Sequence, residues 1–237
     1  MSIALFADLD GTLIPPELVR RDGEVPEELD LALRELSHLV PIAIVTTKDC
    51  RTAYEKVPYA KAFACINGIE IKAGGYTAIA DDLRAIEMEQ LVRRARSLDA
   101  YIDAKRTSDG RWAGLTIDWR ETGAQPKGLE ELLAYAEGLG MTVLRYRRHP
   151  MADIFASKKN KGDAVKLLKA MLGVSYVVYM GDSDNDIPAW RMADVRILVR
   201  NQYNADLKIE GVVPIRFEEL PRYIRSVIKS MKQQGAV

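Results

Sequence analysis

Cysteine is scarce in this chain of 237 residues, which holds only Cys50 and Cys65. Two such residues make neither a disulfide framework nor a CxxC pair, and both read as small buried side chains compatible with a reducing compartment. A net charge of either sign is also missing, because 34 Lys and Arg balance 34 Asp and Glu. No global field then favours nucleic acid or an anionic membrane, so any bound anion must be held by a local site. No apolar run reaches about 18 residues, the length that would suggest a membrane span. The N-terminal MSIALFADLD meets an aspartate too early for a signal peptide. These absences predict a cytoplasmic protein with no nucleic-acid or membrane partner, leaving monomer and homodimer both open. Internal repeats and low-complexity linkers are lacking too. What remains, 48% apolar and 29% charged residues, is the composition of an ordinary globular protein.

The apolar run Ile3–Ala7 ends on Asp8 and predicts a strand buried on both faces. Helical spacing over Pro26–Leu39, a strand at Pro41–Val45, a short helix at Arg51–Val57 and a strand at Ala62–Ile66 predict right-handed parallel crossovers. Near Gly74-Gly75 the character changes. Leu83–Leu98 reads as a charged helix, followed by strands at Tyr101–Lys105 and Trp112–Trp119, a helix at Gly128–Leu139, and strands at Thr142–Arg147 and Asp153–Ala156. That order suits a small sheet with helices on one face. From Lys161 the alternation returns: helix Gly162–Leu172, strand Tyr176–Met180, helix Ile187–Ala193, strand Arg196–Val199, an edge strand at Val212–Ile215 and a closing helix Phe217–Gln233. The expected fold is α/β, a Rossmann-like three-layer core with a parallel sheet formed by residues 1–79 and 158–237. Residues 80–157 are expected to form an inserted, smaller α+β cap domain.

Chemistry concentrates at strand ends, where open parallel sheets bind their ligands. In Asp8-Leu9-Asp10-Gly11-Thr12, two carboxylates two residues apart can face one crevice. One can attack phosphorus and the other can transfer a proton. Gly11 permits a sharp turn that frees a backbone N–H for a phosphate oxygen. The bland alternative is a solvated acidic turn. A second strand runs into Gly181-Asp182-Ser183-Asp184-Asn185-Asp186, a set of oxygen ligands suited to Mg²⁺. A calcium loop of the EF-hand kind is excluded, since its glycine would fall on Ile187 and its glutamate on Ala193. Thr46 can donate its hydroxyl to a phosphoryl oxygen, and Lys161, at the start of a helix, can offset the gathered negative charge. Alone, each is equally a helix cap or a solvated lysine; their order along the chain is what places them around one crevice.

Taken in order, these segments resemble the haloacid dehalogenase superfamily. DLDGT at Asp8–Thr12 is similar to its first motif, Thr46 in IVTTK to the second, Lys161 in NKGDAV to the third and GDSDND at Gly181–Asp186 to the fourth. The resemblance covers both ends of the chain. It implies Asp8 as a nucleophile that forms an aspartyl-phosphate, and Asp10 as general acid/base, with Thr46 and Lys161 in the catalytic set. It also implies Mg²⁺ as cofactor, held by Asp8, the backbone carbonyl of Asp10, and Asp182, with Asp186 as a supporting acid near the metal. Gly11, Thr12, Thr47, Lys48 and Asn185 are expected to meet the substrate.

An insertion between the second and third motifs is similar to the type 2 cap of the Cof-like branch, as are Asn67-Gly68 and the NKG sequence. GLTIDWRE at Gly114–Glu121 resembles the cap of trehalose-6-phosphate phosphatases, whereas TTKDCR at Thr46–Arg51 resembles mannosyl-3-phosphoglycerate phosphatases. The fourth motif departs from the usual trehalose pattern, GDDxTDED. The resemblance implies a phosphomonoesterase for a small phosphorylated metabolite, with a sugar phosphate first and phosphoglycolate as an alternative.

The cap is expected to choose the molecule. Arg145 and Arg147, on one face of a strand, lead its candidates for substrate contact. Lys105, Arg106, Arg120, Arg148 and His149 follow, each also readable as surface charge. Trp112 and Trp119 suit either sugar stacking or packing, and His38 reads as structural. Competing readings are a sugar phosphomutase on the same nucleophile, a phosphoryl-accepting receiver domain and a silent sugar-phosphate sensor. The second aspartate of DLDGT and the insertion argue against the receiver.

Overall fold

The computed structural model describes residues 2–18, 23–146 and 149–233. The chain begins with β1 (Ile3–Ala7), α1 (Glu27–Ser37), β2 (Ile42–Val45), α2 (Cys50–Lys56) and β3 (Ala62–Cys65). β1 pairs with β2, and β2 with β3, all parallel. Side-chain alternation sends Leu5, Ala7, Ile42 and Ile44 into one apolar cluster and Ala4, Phe6, Ala43 and Val45 into another. Burial on both faces is why these strands read as continuous apolar runs. Three of the four leucines of α1, Leu29, Leu33 and Leu36, recur at helical spacing and cover the first face.

Two strands that the sequence did not predict come next. β4 (Glu70–Ala73) and β5 (Tyr76–Ile79) form a hairpin around Gly74 and Gly75, whose φ values of +58° and +83° suit glycine. β4 pairs antiparallel with β3. The larger sheet therefore has a parallel body with an antiparallel edge, rather than the purely parallel order expected.

The chain then crosses to a second sheet. α3 (Ala85–Ala95), β6 (Tyr101–Arg106), β7 (Trp112–Asp118), α4 (Leu129–Gly138), β8 (Thr142–Arg145) and β9 (Met151–Phe155) follow the expected order. The strands lie β6-β7-β9-β8, all antiparallel. Leu115, Ile117, Ala152 and Ile154 pack under Leu91 of α3 and Leu132 and Leu133 of α4. The opposite face carries Asp103, Lys105, Thr116 and Asp153, and it looks toward the larger sheet. Gly114 sets that approach: a Cβ there would lie 2.9 Å from Ile66 Cγ2.

The return passes through α5 (Lys161–Leu172), β10 (Tyr176–Gly181), α6 (Ile187–Met192), β11 (Val195–Arg200), β12 (Val213–Arg216) and α7 (Leu220–Gln233). The larger sheet is ordered β12-β11-β10-β1-β2-β3-β4-β5. α1 and α7 lie on one face, α5 and α6 on the other. The two crossings between sheets are tied together, with the Arg84 N–H donating to Ala156 O at 2.8 Å and the Ser157 hydroxyl to Asp82 at 2.5 Å. No helix among the described residues is long and apolar enough to cross a membrane.

The reading of the cysteines as unpaired is corrected: Cys50 and Cys65 form a disulfide. They stand 15 residues apart in sequence, but α2 starts beside the end of β3 because β2 and β3 are parallel neighbours, which brings their Cα atoms to 5.3 Å.

Candidate active site

Asp8 directly follows β1, and its N–H donates to Met180 O of β10 at 2.9 Å. The carboxylate is buried; Oδ1 accepts the Leu9 N–H at 2.7 Å and Oδ2 lies 2.7 Å from Lys161 Nζ. Burial pushes the Asp8 carboxyl up to about 7, against the pull of Lys161 and with help from the nearby Asp186 charge. Lys161 is positioned by its own helix start. Asn160 caps α5 by accepting from the Gly162 and Asp163 N–H groups, and the Asp163 side chain accepts the Asn160 N–H in return. Such a capping box contributes on the order of 1 kcal/mol.

Lys161 has no exposed surface, and its second contact is Asp186 Oδ1 at 2.8 Å. Burial alone would lower its pKa, but Asp186 and Asp8 together raise it. Asp186 is fully engaged. Oδ1 also accepts from the Tyr179 hydroxyl at 2.7 Å, while Oδ2 accepts the N–H groups of Asp182 and Ser183 at 2.9 and 3.1 Å.

Asp182 completes the acidic set. Carboxylate oxygens of Asp8, Asp182 and Asp186 lie within 4.8 Å of one another, all buried. Burial, Asp186 and Asp8 raise the Asp182 pKa. Thr12 Oγ1 donates to Asp182 Oδ1 at 3.4 Å, and Asn201 Nδ2 donates to Oδ2 at 3.0 Å. Gly11 has φ +78°, and a Cβ there would fall 2.3 Å from Asp182 Oδ2. The glycine is thus required by both backbone and space.

The donor set fits a hard divalent cation. Asp8 and Asp182 are two closely placed, buried carboxylates, and oxygen donors of this kind suit such an ion. Asp186 differs, because Lys161, Tyr179 and two backbone N–H groups take up both its oxygens.

Asp10 lies beside the cluster with Lys48 Nζ 3.5 Å away. Burial raises its pKa despite Lys48. Thr46 is fully buried; its Oγ1 accepts the Lys48 N–H at 3.2 Å, and no acceptor among the described residues takes its own proton. Thr47 and Asn185 line the same cleft as Asp8, Asp10, Gly11 and Asp182, a space of about 100 Å³.

The second sheet roofs this cleft. Lys105 Nζ donates to Thr116 Oγ1 and lies 3.2 Å from Asp103. Thr116 donates to Asp153, which also accepts the Tyr146 hydroxyl at 2.7 Å. Tyr146 and Arg120 line the cleft, Arg120 held by Asp118 through bonds of 2.9 and 2.7 Å. Arg145 instead pairs with Glu130 and Glu137 of α4. Arg106 stacks on Trp112, its guanidinium carbon 3.5 Å from the ring centre. Trp112 and Trp119 pack against the apolar cluster below α3 and α4. His38 caps α1 away from the cleft. Arg147 and Arg148 lie outside the described residues.

Sequence reasoning missed Tyr179, Asn201 and Asn204 beneath the acids, and Asp103, Thr116, Tyr146 and Asp153 above them. Strand alternation offered one signal: Asp103 and Lys105 share a face, and Asp103, Thr116 and Asp153 form one row across the sheet.

No protein-family model matches the chain, and no curated protein matches it. Solved structures do. The C-terminal domain of the C. albicans trehalose-6-phosphate phosphatase aligns over 96% of this chain and 92% of its own, with TM-score 0.73 and 12% identity. A trehalose-6-phosphate phosphatase related protein aligns over 98% and 99%, with TM-score 0.71 and 16% identity. The sugar phosphatase BT4131, of haloacid dehalogenase subclass IIB, aligns over the full length of both chains, with TM-score 0.66 and 17% identity. At such identities the likeness speaks for the fold, and this chain carries the fold of the haloacid dehalogenase superfamily phosphatases.

Proposed function

We propose that the protein is a Mg²⁺-dependent phosphomonoesterase acting on a small phosphorylated sugar, with residues 80–157 serving as a cap over the core. The observation that carries this reading is the buried Lys161 bridging Asp8 and Asp186 beside Asp182, at the carboxyl ends of β1 and β10.

Asp8 is the nucleophile, and one of its carboxylate oxygens attacks phosphorus to form an aspartyl-phosphate as the alcohol oxygen departs. Asp10 donates a proton to the departing alcohol oxygen and later removes one from the attacking water; its raised pKa suits the first of these tasks. The Thr46 hydroxyl and the Lys48 ammonium hold phosphoryl oxygens, and Lys161 keeps Asp8 oriented and partly neutralised. Mg²⁺, bound by Asp8, Asp182 and the Asp10 carbonyl, would supply charge stabilisation to the transferring phosphoryl group. That need is large. Two unit charges about 4 Å apart repel by about 4 kcal/mol at an effective dielectric near 20.

The roof supports a neutral, hydroxyl-rich leaving group. Among the described residues Asp103, Asp118 and Asp153 outnumber Lys105 and Arg120 there, and both cations are already paired with them or with Thr116. Carboxylates accept from sugar hydroxyls but repel a second acidic group. This favours a substrate of the trehalose 6-phosphate type over mannosyl-3-phosphoglycerate or phosphoglycolate.

The test is hydrolysis of 4-nitrophenyl phosphate followed by a panel of these three compounds and hexose phosphates. Mg²⁺-dependent release of inorganic phosphate, lost in Asp8→Asn, is expected. Undiminished activity in Asp8→Asn would remove the nucleophile, and stoichiometric transfer of phosphate back to sugar would make the enzyme a mutase.

A further inference from the structure

The core of this protein takes part in choosing the leaving group: we propose that Tyr203 forms, with His149 and Tyr146, a subsite for the second ring of a glycosylated leaving group. The proposal rests on the phosphatase reading above and extends it to one residue of the core.

Beside the catalytic cleft lies a larger chamber of about 180 Å³. The two spaces are continuous, since Tyr146, His149, Asp182, Ser183 and Asn185 line both. One wall of the chamber is β8, and the other is the loop after β11 that carries Tyr203, Asn204 and Leu207. A phosphate seated at Asp8 therefore has a leaving group directed either into the roof or onward into this chamber.

Tyr203 is an aromatic ring left 39% exposed on a loop that is otherwise firmly held. Its N–H donates to Asn201 Oδ1 at 2.9 Å, and Arg200 donates to Asn204 O at 2.6 Å. Asn204, itself buried, donates to both Val199 O and Asp182 O at 2.8 Å. The bond to Asp182 O ties the ring's position to the acidic cluster. The Tyr203 hydroxyl makes no hydrogen bond among the described residues. Its ring meets His149 of the β8–β9 connection at 5.1 Å between centroids, with planes tilted by 55°. An exposed aromatic ring on a firmly held loop, packed on one side against a second ring at the chamber's edge, can offer its open side to the apolar face of a sugar.

Among the described residues the chamber's charges argue for a neutral occupant. Arg145 is engaged with Glu130 and Glu137, so it offers no unpaired cation to an acidic group. Asn185, whose side chain makes no hydrogen bond among the described residues, stands at the junction of the two spaces with an amide that can donate and accept.

The test compares kcat/KM for trehalose 6-phosphate with that for glucose 6-phosphate, in wild type, Tyr203→Ala and Tyr203→Phe. The expected results are a wild-type preference for the two-ring substrate, a fall in that ratio of about fivefold or more in Tyr203→Ala, and a ratio largely kept in Tyr203→Phe, as loss of an aromatic contact implies. A ratio is insensitive to partial unfolding, which lowers both activities alike. An unchanged ratio in Tyr203→Ala, equal losses in Ala and Phe variants, or no wild-type preference would overturn the proposal. Failure of the phosphatase reading looks different, because phosphate release would then be absent or indifferent to Asp8→Asn, and the subsite would fall with it.

Discussion

Lys161 Nζ sits buried 2.7 Å from Asp8 Oδ2, so the cation in contact with the proposed nucleophile is a lysine equally committed to Asp186. Removing it leaves buried carboxylates facing one another. Lys161→Met, which keeps the aliphatic stem, is expected to cost about 3–5 kcal/mol of stability, the usual effect of breaking a buried ion pair. The Asp8 carboxyl should also rise further, and kcat on an aryl phosphate should fall by about 100-fold or more. Urea melts and steady-state kinetics check both. A variant that melts like wild type and keeps its kcat would show that Lys161 is a bystander.

The raised pKa values of Asp8 and Asp182 predict a pH-dependent grip on Mg²⁺. In the metal-free folded chain burial pushes the Asp8 carboxyl up from its ordinary 3.8 to about 7, and Asp182 is shifted the same way. The folded state then holds more protons than the unfolded one between these values. The stability this contributes is complete below about pH 4 and lost as pH rises through about 7. Mg²⁺ takes the place of those protons, so its stabilisation should grow in the opposite direction. Thermal melts with and without Mg²⁺ at about pH 5.5 and about pH 8 are expected to give the larger shift at the higher pH. Equal shifts would mean that the cation does not compete with the Asp8 proton.

The strand ends of the core were legible because their physics is local. A parallel strand buried on both faces must read as an apolar run, and a run that stops at Asp8 or at Gly181-Asp182 marks where polarity is tolerated. β4 escaped because its alternation is broken by charge: Glu70 is buried, paired with Lys72 and accepting from Ser108, 38 residues onward at the tip of the β6–β7 hairpin. The roof escaped for a related reason. Asp103 and Asp153 look like ordinary surface acids until the second sheet turns that face toward Asp10 and Lys48. Arg145, which looked suited to a substrate, is drawn to Glu137 on the helix behind it. The cysteines could not be paired from sequence, because their contact depends on β2 and β3 lying side by side.

That pairing carries its own prediction. The disulfide joins the first residue of α2 to the last of β3, and between β2 and α2 runs the loop bearing Thr46, Thr47 and Lys48. The same loop is stitched to the residues after Cys65, with the Ile66 N–H donating to Lys48 O at 2.8 Å and the Asn67 N–H to Thr46 O at 3.0 Å. Closing a 15-residue loop stabilises a protein by about 3 kcal/mol in the chain-entropy account. Treatment with a dithiol reductant, or the double substitution Cys50→Ser with Cys65→Ser, should lower the melting temperature by roughly 6–12 °C, at about 2–4 °C per kcal/mol for a chain of this size. The double variant should also make the melt insensitive to reductant. A wild-type melt that is already unaffected by reduction would deny the bridge a structural role.

The roof should discriminate by charge, and Asp153 offers the cleanest place to measure it. Its carboxylate is buried and accepts from Thr116 and from Tyr146, which lines the cleft, while Lys105 donates to the same Thr116. Asp153→Asn keeps the shape and can still accept from one of these hydroxyls, but it removes one negative charge. An acidic leaving group such as that of phosphoglycolate would then meet less repulsion, while a neutral sugar would lose an acceptor. The expected result is a fall of roughly tenfold in kcat/KM for a neutral sugar phosphate relative to phosphoglycolate, the scale of one charge contact in a partly buried site. The same substitution should leave the Mg²⁺-induced thermal shift in place, because Asp153 belongs to the roof and not to the acidic cluster below. A specificity ratio that does not move, in a protein that melts normally, would return the choice of leaving group to residues elsewhere in the cleft.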